Sequence, residues 1–214
     1  MQEIQPKSRS TFNTHTVVTV GMLCALSFIA VLIGRLVPNV AGFLSYDPKD
    51  AIVVIAGFIY GPLVSVIISV IVSFIEMLTV SSTGVYGLIM NVFSTCAFAV
   101  PAAIVYKRMH SMKGAVVGLA LGAVCMTVCM ILWNYIITPF YMGVDRSVVA
   151  GMLVPVFMPF NLLKSGINLG IALVLYKPLV SALRKANLVP ATDAKPSKRS
   201  VQIGWTIFSV FVLL

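Results

Sequence analysis

Lys164 stands in the run PVFMPFNLLKSGINLGIALVL, which is otherwise apolar enough to be a membrane span. A charged side chain inside a span is costly and marks a functional site by default. Asn161 lies three residues before it and Asn168 four after, so on a helix all three share one face. Lysine donates up to three hydrogen bonds, and asparagine both donates and accepts. Such a face cannot look onto lipid. It can clamp a ligand that carries carbonyl or hydroxyl groups, or bond to neighbouring helices.

The elements that must position these groups follow from composition. Of 214 residues, 59% are hydrophobic and 10% charged, and the mean hydropathy is +1.03. That balance predicts an all-α integral membrane protein of about six or seven spans at ~20 residues each. The formal charge of +9 does not point to nucleic acid, because the basic residues sit at the ends of apolar runs. There they read as topology signals and contacts to lipid headgroups.

Residues 1–14 are a polar segment carrying Lys7 and Arg9, and 15–185 form the membrane domain. Its spans are expected at about 15–37, 51–60 (short, closed by a Gly61-Pro62 turn), 63–80, 85–106, 114–138 and from 159 onward. The apolar stretch 148–176 exceeds one straight span, and Pro155 and Pro159 divide it into a short surface helix and the sixth span. A basic linker follows at 186–200. Residues 201–214 begin another apolar segment, either a truncated seventh span or an interfacial anchor.

Lys7 and Arg9, then Lys107, Arg108 and Lys113, then Lys177, Arg184, Lys185, Lys195, Lys198 and Arg199 fall on one side of a six-span chain. They are most of its 15 basic residues, so that side is expected to be the cytoplasm, with both ends of the bundle inside. Glu76, Asn91, Asn134, Asn161 and Lys164 then converge from four helices just beneath the outer surface, as in a pocket that captures a ligand from outside. Asn134, Asn161 and Lys164 are the expected ligand contacts. Asn91, Tyr46 and Leu44 are expected to line or close the pocket.

Other features have plainer readings. Asp50 or Asp47, in the run DPKD, reads as a helix N-cap. Glu76 either pairs with a nearby cation or reaches the outer interface, and the interfacial reading is the one favoured. Trp133, Tyr135, Phe140 and Tyr141 read as an aromatic belt. Gly21 and Ala25 form a small-xxx-small pair, which serves either internal packing or docking of a partner subunit. Cys24, Cys96, Cys125 and Cys129 read as packing residues, with no metal site expected. The chain lacks a phosphate-binding GxxxxGK[ST] loop, so it cannot itself hydrolyse ATP. No catalytic dyad is expected inside the membrane.

With these residues in place, the chain resembles the S components of energy-coupling factor (ECF) vitamin transporters, within them the riboflavin-specific branch. The likeness covers about residues 15–185. It rests on six spans with both ends inside, Gly21 to Ala25, YDPKDAIVVIAGFIYGP, LWNYIITPFYMG and VPVFMPFNLLKSGIN. The resemblance implies a vitamin-binding subunit of a prokaryotic cell membrane that is not an enzyme. It would work with a membrane-embedded T component and two cytoplasmic ATPases, and move its ligand inward by toppling in the membrane. It implies ligand roles for Asn134, Asn161 and Lys164 and T-component docking at Gly21 and Ala25, with riboflavin as cargo and no cofactor. Another vitamin such as pantothenate would also suit Lys164. A stand-alone ion-coupled carrier would usually show inverted repeats and an acidic relay, and Glu76 is the one acidic residue this reading places in a span.

Overall fold

The structure, a computed structural model, describes residues 14–40, 42, 44–189 and 206. The polar segment with Lys7 and Arg9, residues 190–200 of the linker and nearly all of the apolar segment 201–214 lie outside the described residues. Among the described residues the chain is helical apart from short connections, with one isolated antiparallel bridge between Val40 and Leu44.

Helices α1 (Thr14–Gly34), α3 (Pro62–Thr79), α4 (Gly84–Met109), α5 (Met112–Met142) and the stretch Arg146–Lys185 are each long and apolar enough to cross a membrane. Helix α2 (Lys49–Tyr60) is not. Its 12 residues rise roughly 18 Å against a hydrocarbon core of about 30 Å. It ends at Gly61, whose φ of 98° suits glycine, and Pro62 then opens α3.

The last stretch is composite, as its prolines predict. Helix α6 (Arg146–Met152) leads through a π-helical turn (Leu153–Phe157) into α7 (Met158–Lys185). Pro155 has no N–H to give to a regular helical ladder, and the wider turn falls at that residue. Pro159 lies in the first turn of α7.

Helix α2 is the centre of the bundle. Every residue from Lys49 to Gly57 is buried, walled by α1, α3, α4 and α7. A helix apolar all round belongs in such a position. The longer helices keep one face for the core and expose Ile29, Phe74, Val124 and Leu132 on the other, where lipid suits them. Helices α4 and α5 meet closely because α5 offers Gly118 and Gly122: a Cβ at Gly118 would lie 2.7 Å from the Ala102 carbonyl oxygen. A second, smaller core of Leu44, Val149 and Phe157 joins the α1–α2 connection to α6 and the π turn.

Candidate ligand-binding site

A cavity opens at the end of the bundle where α3 and α5 finish and α4 and α7 begin. The space within it, open mouth included, is about 1050 Å³. Leu44, Tyr46, Asn91, Asn134, Asn161 and Lys164, the six residues singled out in the sequence, all line it. The fold therefore brings together polar side chains from α4, α5 and α7 with the connection at 35–48.

The asparagines are fixed by their own helices. Asn134 donates from Nδ2 to the Met130 carbonyl at 2.7 Å, and its Oδ1 accepts from the Thr138 hydroxyl at 2.9 Å. Asn161 donates from Nδ2 to the Phe157 carbonyl at 2.8 Å, at the end of the π turn. Neither is glue between helices. Each amide is locked in orientation yet keeps unused hydrogen-bonding capacity on a cavity wall, which is how a binding group is preorganised.

Two buried lysines stand in different states. Lys49 is fully enclosed and tightly paired, with Nζ 2.6 Å from Asp47 Oδ2 and 2.7 Å from Glu76 Oε2. Lys164 is loosely held, with Nζ 3.4 Å from Ser94 Oγ and 3.5 Å from Asp50 Oδ2. Only Lys164 lines the cavity. Its ammonium has a counter-charge and donors to spare.

Two sequence readings are corrected here. Asp50 is not a helix cap. Pro48 occupies that position, and the Asp50 carboxylate is buried, accepting from Thr95 Oγ1 at 2.6 Å and facing Lys164. Asp50 is also a second acidic residue within the helices, beside Glu76. For Glu76 the cation-pairing reading holds in place of the interfacial one: at 3% exposure it accepts from Arg35 Nη2 at 2.7 Å, Lys49 Nζ at 2.7 Å and Asn91 Nδ2 at 3.0 Å. It ties α3 to α2, α4 and the residue after α1. An unpaired carboxylate there would be prohibitive, and three donors make it tolerable.

The 35–48 connection is clasped to the site. Val40 and Leu44 exchange backbone hydrogen bonds of 2.9 and 3.0 Å. Tyr46 Oη donates to Asn168 Oδ1 at 3.1 Å, and Asn168 Nδ2 donates to the Asp47 carbonyl at 3.0 Å and approaches Asp50 Oδ2 at 3.4 Å. Burial, then the charges of Asp50 and Asp47, push the Tyr46 hydroxyl well above its usual pKa and keep it a donor. At Asp47, burial acts upward, but the Lys49 and Lys164 ammonium groups and the hydrogen bonds from Lys49 outweigh it and hold the carboxyl below its ordinary value.

Gly21 and Ala25 are exposed on α1, and a Cβ added at Gly21 would meet nothing within 4 Å among the described residues. Among the described residues the pair therefore takes no part in internal packing. Trp133 is more than part of a belt: it stacks on Phe93 at 4.3 Å, with its indole N–H enclosed.

Sequence reasoning passed over Arg35, Lys49, Asp50 and Glu76 as parts of one network. The available signal was the cluster of Arg35, Asp47, Lys49 and Asp50 around the connection between the first two apolar runs, with two charges of each sign. Among the described residues no cluster of His, Cys, Asp and Glu suits a metal ion.

A family model described as the substrate-specific component of ECF transporters matches residues 15–176. The riboflavin transporter FmnP of Bacillus subtilis (strain 168) is 29% identical over 188 residues, spanning 80% of this chain and 96% of that protein. The riboflavin transporter RibU of Staphylococcus aureus (strain TCH60) is 25% identical over 174 residues, spanning 78% and 92% respectively. A solved structure, that of the S component of a bacterial ECF transporter, matches with a TM-score of 0.68 at 24% identity over 80% of this chain and 98% of that one, which shows the fold. This chain belongs to the family of ECF transporter substrate-specific components, multi-pass membrane proteins that serve transport and are not enzymes.

Proposed function

We propose that this chain captures riboflavin at the outer face of a prokaryotic cell membrane and delivers it inward as the S component of an ATP-driven importer. The observation that carries this reading is the convergence of Asn91, Asn134, Asn161 and Lys164 on one cavity. Riboflavin offers a flat ring with a polar carbonyl and imide edge and a chain of hydroxyls. Fixed amides and one ammonium with spare donors match both. The names of the two relatives support riboflavin over other vitamins.

In this reading the bundle has six spans, with α2 as a short buried one, and both ends lie in the cytoplasm. Lys107, Arg108 and Lys113, between α4 and α5, mark that side. The cavity then opens outward, and Leu44 and Tyr46 cover it. The exposed Gly21 and Ala25 face docks the membrane-embedded T component, which works with two cytoplasmic ATPases.

The test is the absorption spectrum of protein purified in detergent from a riboflavin-containing host. Flavin bands near one per chain, lost in Lys164→Ala, support the reading. A colourless protein that also fails to quench added riboflavin fluorescence refutes it.

A further inference from the structure

We propose that Asp50 sets the charge selectivity of the cavity: by neutralising Lys164 from behind, it makes the site accept an uncharged ligand and discriminate against an anionic one. The inference rests on the riboflavin reading above and goes beyond it, because Asp50 does not itself line the cavity.

Arg35, Lys49 and Lys164 face Asp47, Asp50 and Glu76, so the buried network is balanced in charge. The Lys49, Asp47 and Glu76 group closes on itself at 2.6–2.7 Å, and Arg35 completes Glu76 at 2.7 Å. Arg35 also lines the cavity but is committed to Glu76 at 2.7 Å, whereas Lys164, with contacts of 3.4 and 3.5 Å, is the lining cation held least tightly. Among the described residues, Asp50 is the one carboxylate within ion-pair distance of its ammonium. Asp50 is itself held from two other sides, by Thr95 at 2.6 Å and Asn168 at 3.4 Å, so it stays put when a ligand arrives.

A ligand without charge engages Lys164's spare donors and leaves the balance intact. An anionic ligand must either compete with Asp50 for Lys164 or lie close to an uncompensated carboxylate in a medium that screens poorly. Asp50 is therefore a positioning and specificity residue. It acts through Lys164 and touches no ligand.

The experiment measures the dissociation constants of riboflavin and of riboflavin 5′-phosphate, by flavin fluorescence, for the native chain and for Asp50→Asn. The native chain is expected to favour riboflavin. In Asp50→Asn the preference is expected to move toward the phosphate by about tenfold, the effect of roughly one close charge pair in a partly buried site. A purely structural role for Asp50 would weaken both ligands alike and leave their ratio unchanged, which would overturn the proposal. Failure of the native chain to bind riboflavin at all would instead overturn the functional reading.

Should Asp50→Asn not yield folded protein, the charge-balanced pair Asp50→Asn with Lys164→Gln decides. Recovery of a folded chain supports neutralisation of Lys164 as the role of Asp50. Equal failure of the pair contradicts it.

Discussion

Asn168 donates to the backbone carbonyl of Asp47 across 3.0 Å, joining positions 121 residues apart. The bond fastens the α1–α2 connection to α7 one turn beyond Lys164. Tyr46 adds a second bond to the same amide. The connection at 35–48 and the helix that carries Lys164 are thus joined beside the cavity by two side-chain hydrogen bonds.

Removing this clasp should therefore free the cover. Asn168→Ala leaves the Tyr46 hydroxyl and the Asp47 carbonyl without their partner, a penalty of about 1–3 kcal/mol. Stopped-flow measurement should find riboflavin dissociating about tenfold faster, with association changed less. An unchanged off-rate would show that the connection is held by Leu44 packing alone.

Much of this site could be read from the chain, and the reason is energetic. Asn161, Lys164 and Asn134 stand in apolar runs where a polar group needs a purpose, and all three line the cavity. Asp50 and Glu76 were misread because they stand at the ends of apolar runs, where a cap or an interfacial carboxylate looks the same. Their partners lie 15 to 118 residues away in sequence, a relation that spacing alone does not carry. Helix faces were equally hard to read. Lipid accepts Ile29 and Leu132 as readily as the core accepts Leu23 and Leu119, so apolar periodicity fades. The special place of α2 was legible only as its shortness between Asp50 and Gly61.

The Glu76 hub should govern stability more than binding. Glu76→Ala strips Arg35, Lys49 and Asn91 of one shared acceptor, and Lys49→Met leaves two buried carboxylates facing each other. Breaking a buried pair from one side costs about 3–5 kcal/mol. Thermal unfolding in detergent should show both variants melting well below Lys164→Met, whose lost pair is the long one at 3.5 Å. Equal melting of all three would contradict the distinction between the two lysines.

The outward face of α1 should separate binding from transport. A Cβ added at Gly21 meets no atom of the described residues within 4 Å, so in Gly21→Leu the fold and riboflavin affinity should stay as they are. Uptake by cells that depend on this protein should nevertheless fall sharply, because the bulky side chain holds a partner helix away. Normal uptake by Gly21→Leu would remove this face from consideration as the docking surface.

The central claim is that a cavity walled by Asn134, Asn161 and Lys164 holds riboflavin, and titration calorimetry of purified, flavin-free protein tests it most directly. The account predicts saturation near one riboflavin per chain, with affinity weakened roughly tenfold to a hundredfold in Asn161→Ala by loss of about 1–3 kcal/mol of fixed hydrogen bonding. Riboflavin binding that is equally tight in Asn161→Ala and Lys164→Ala, or no heat at all with the native chain, would contradict it.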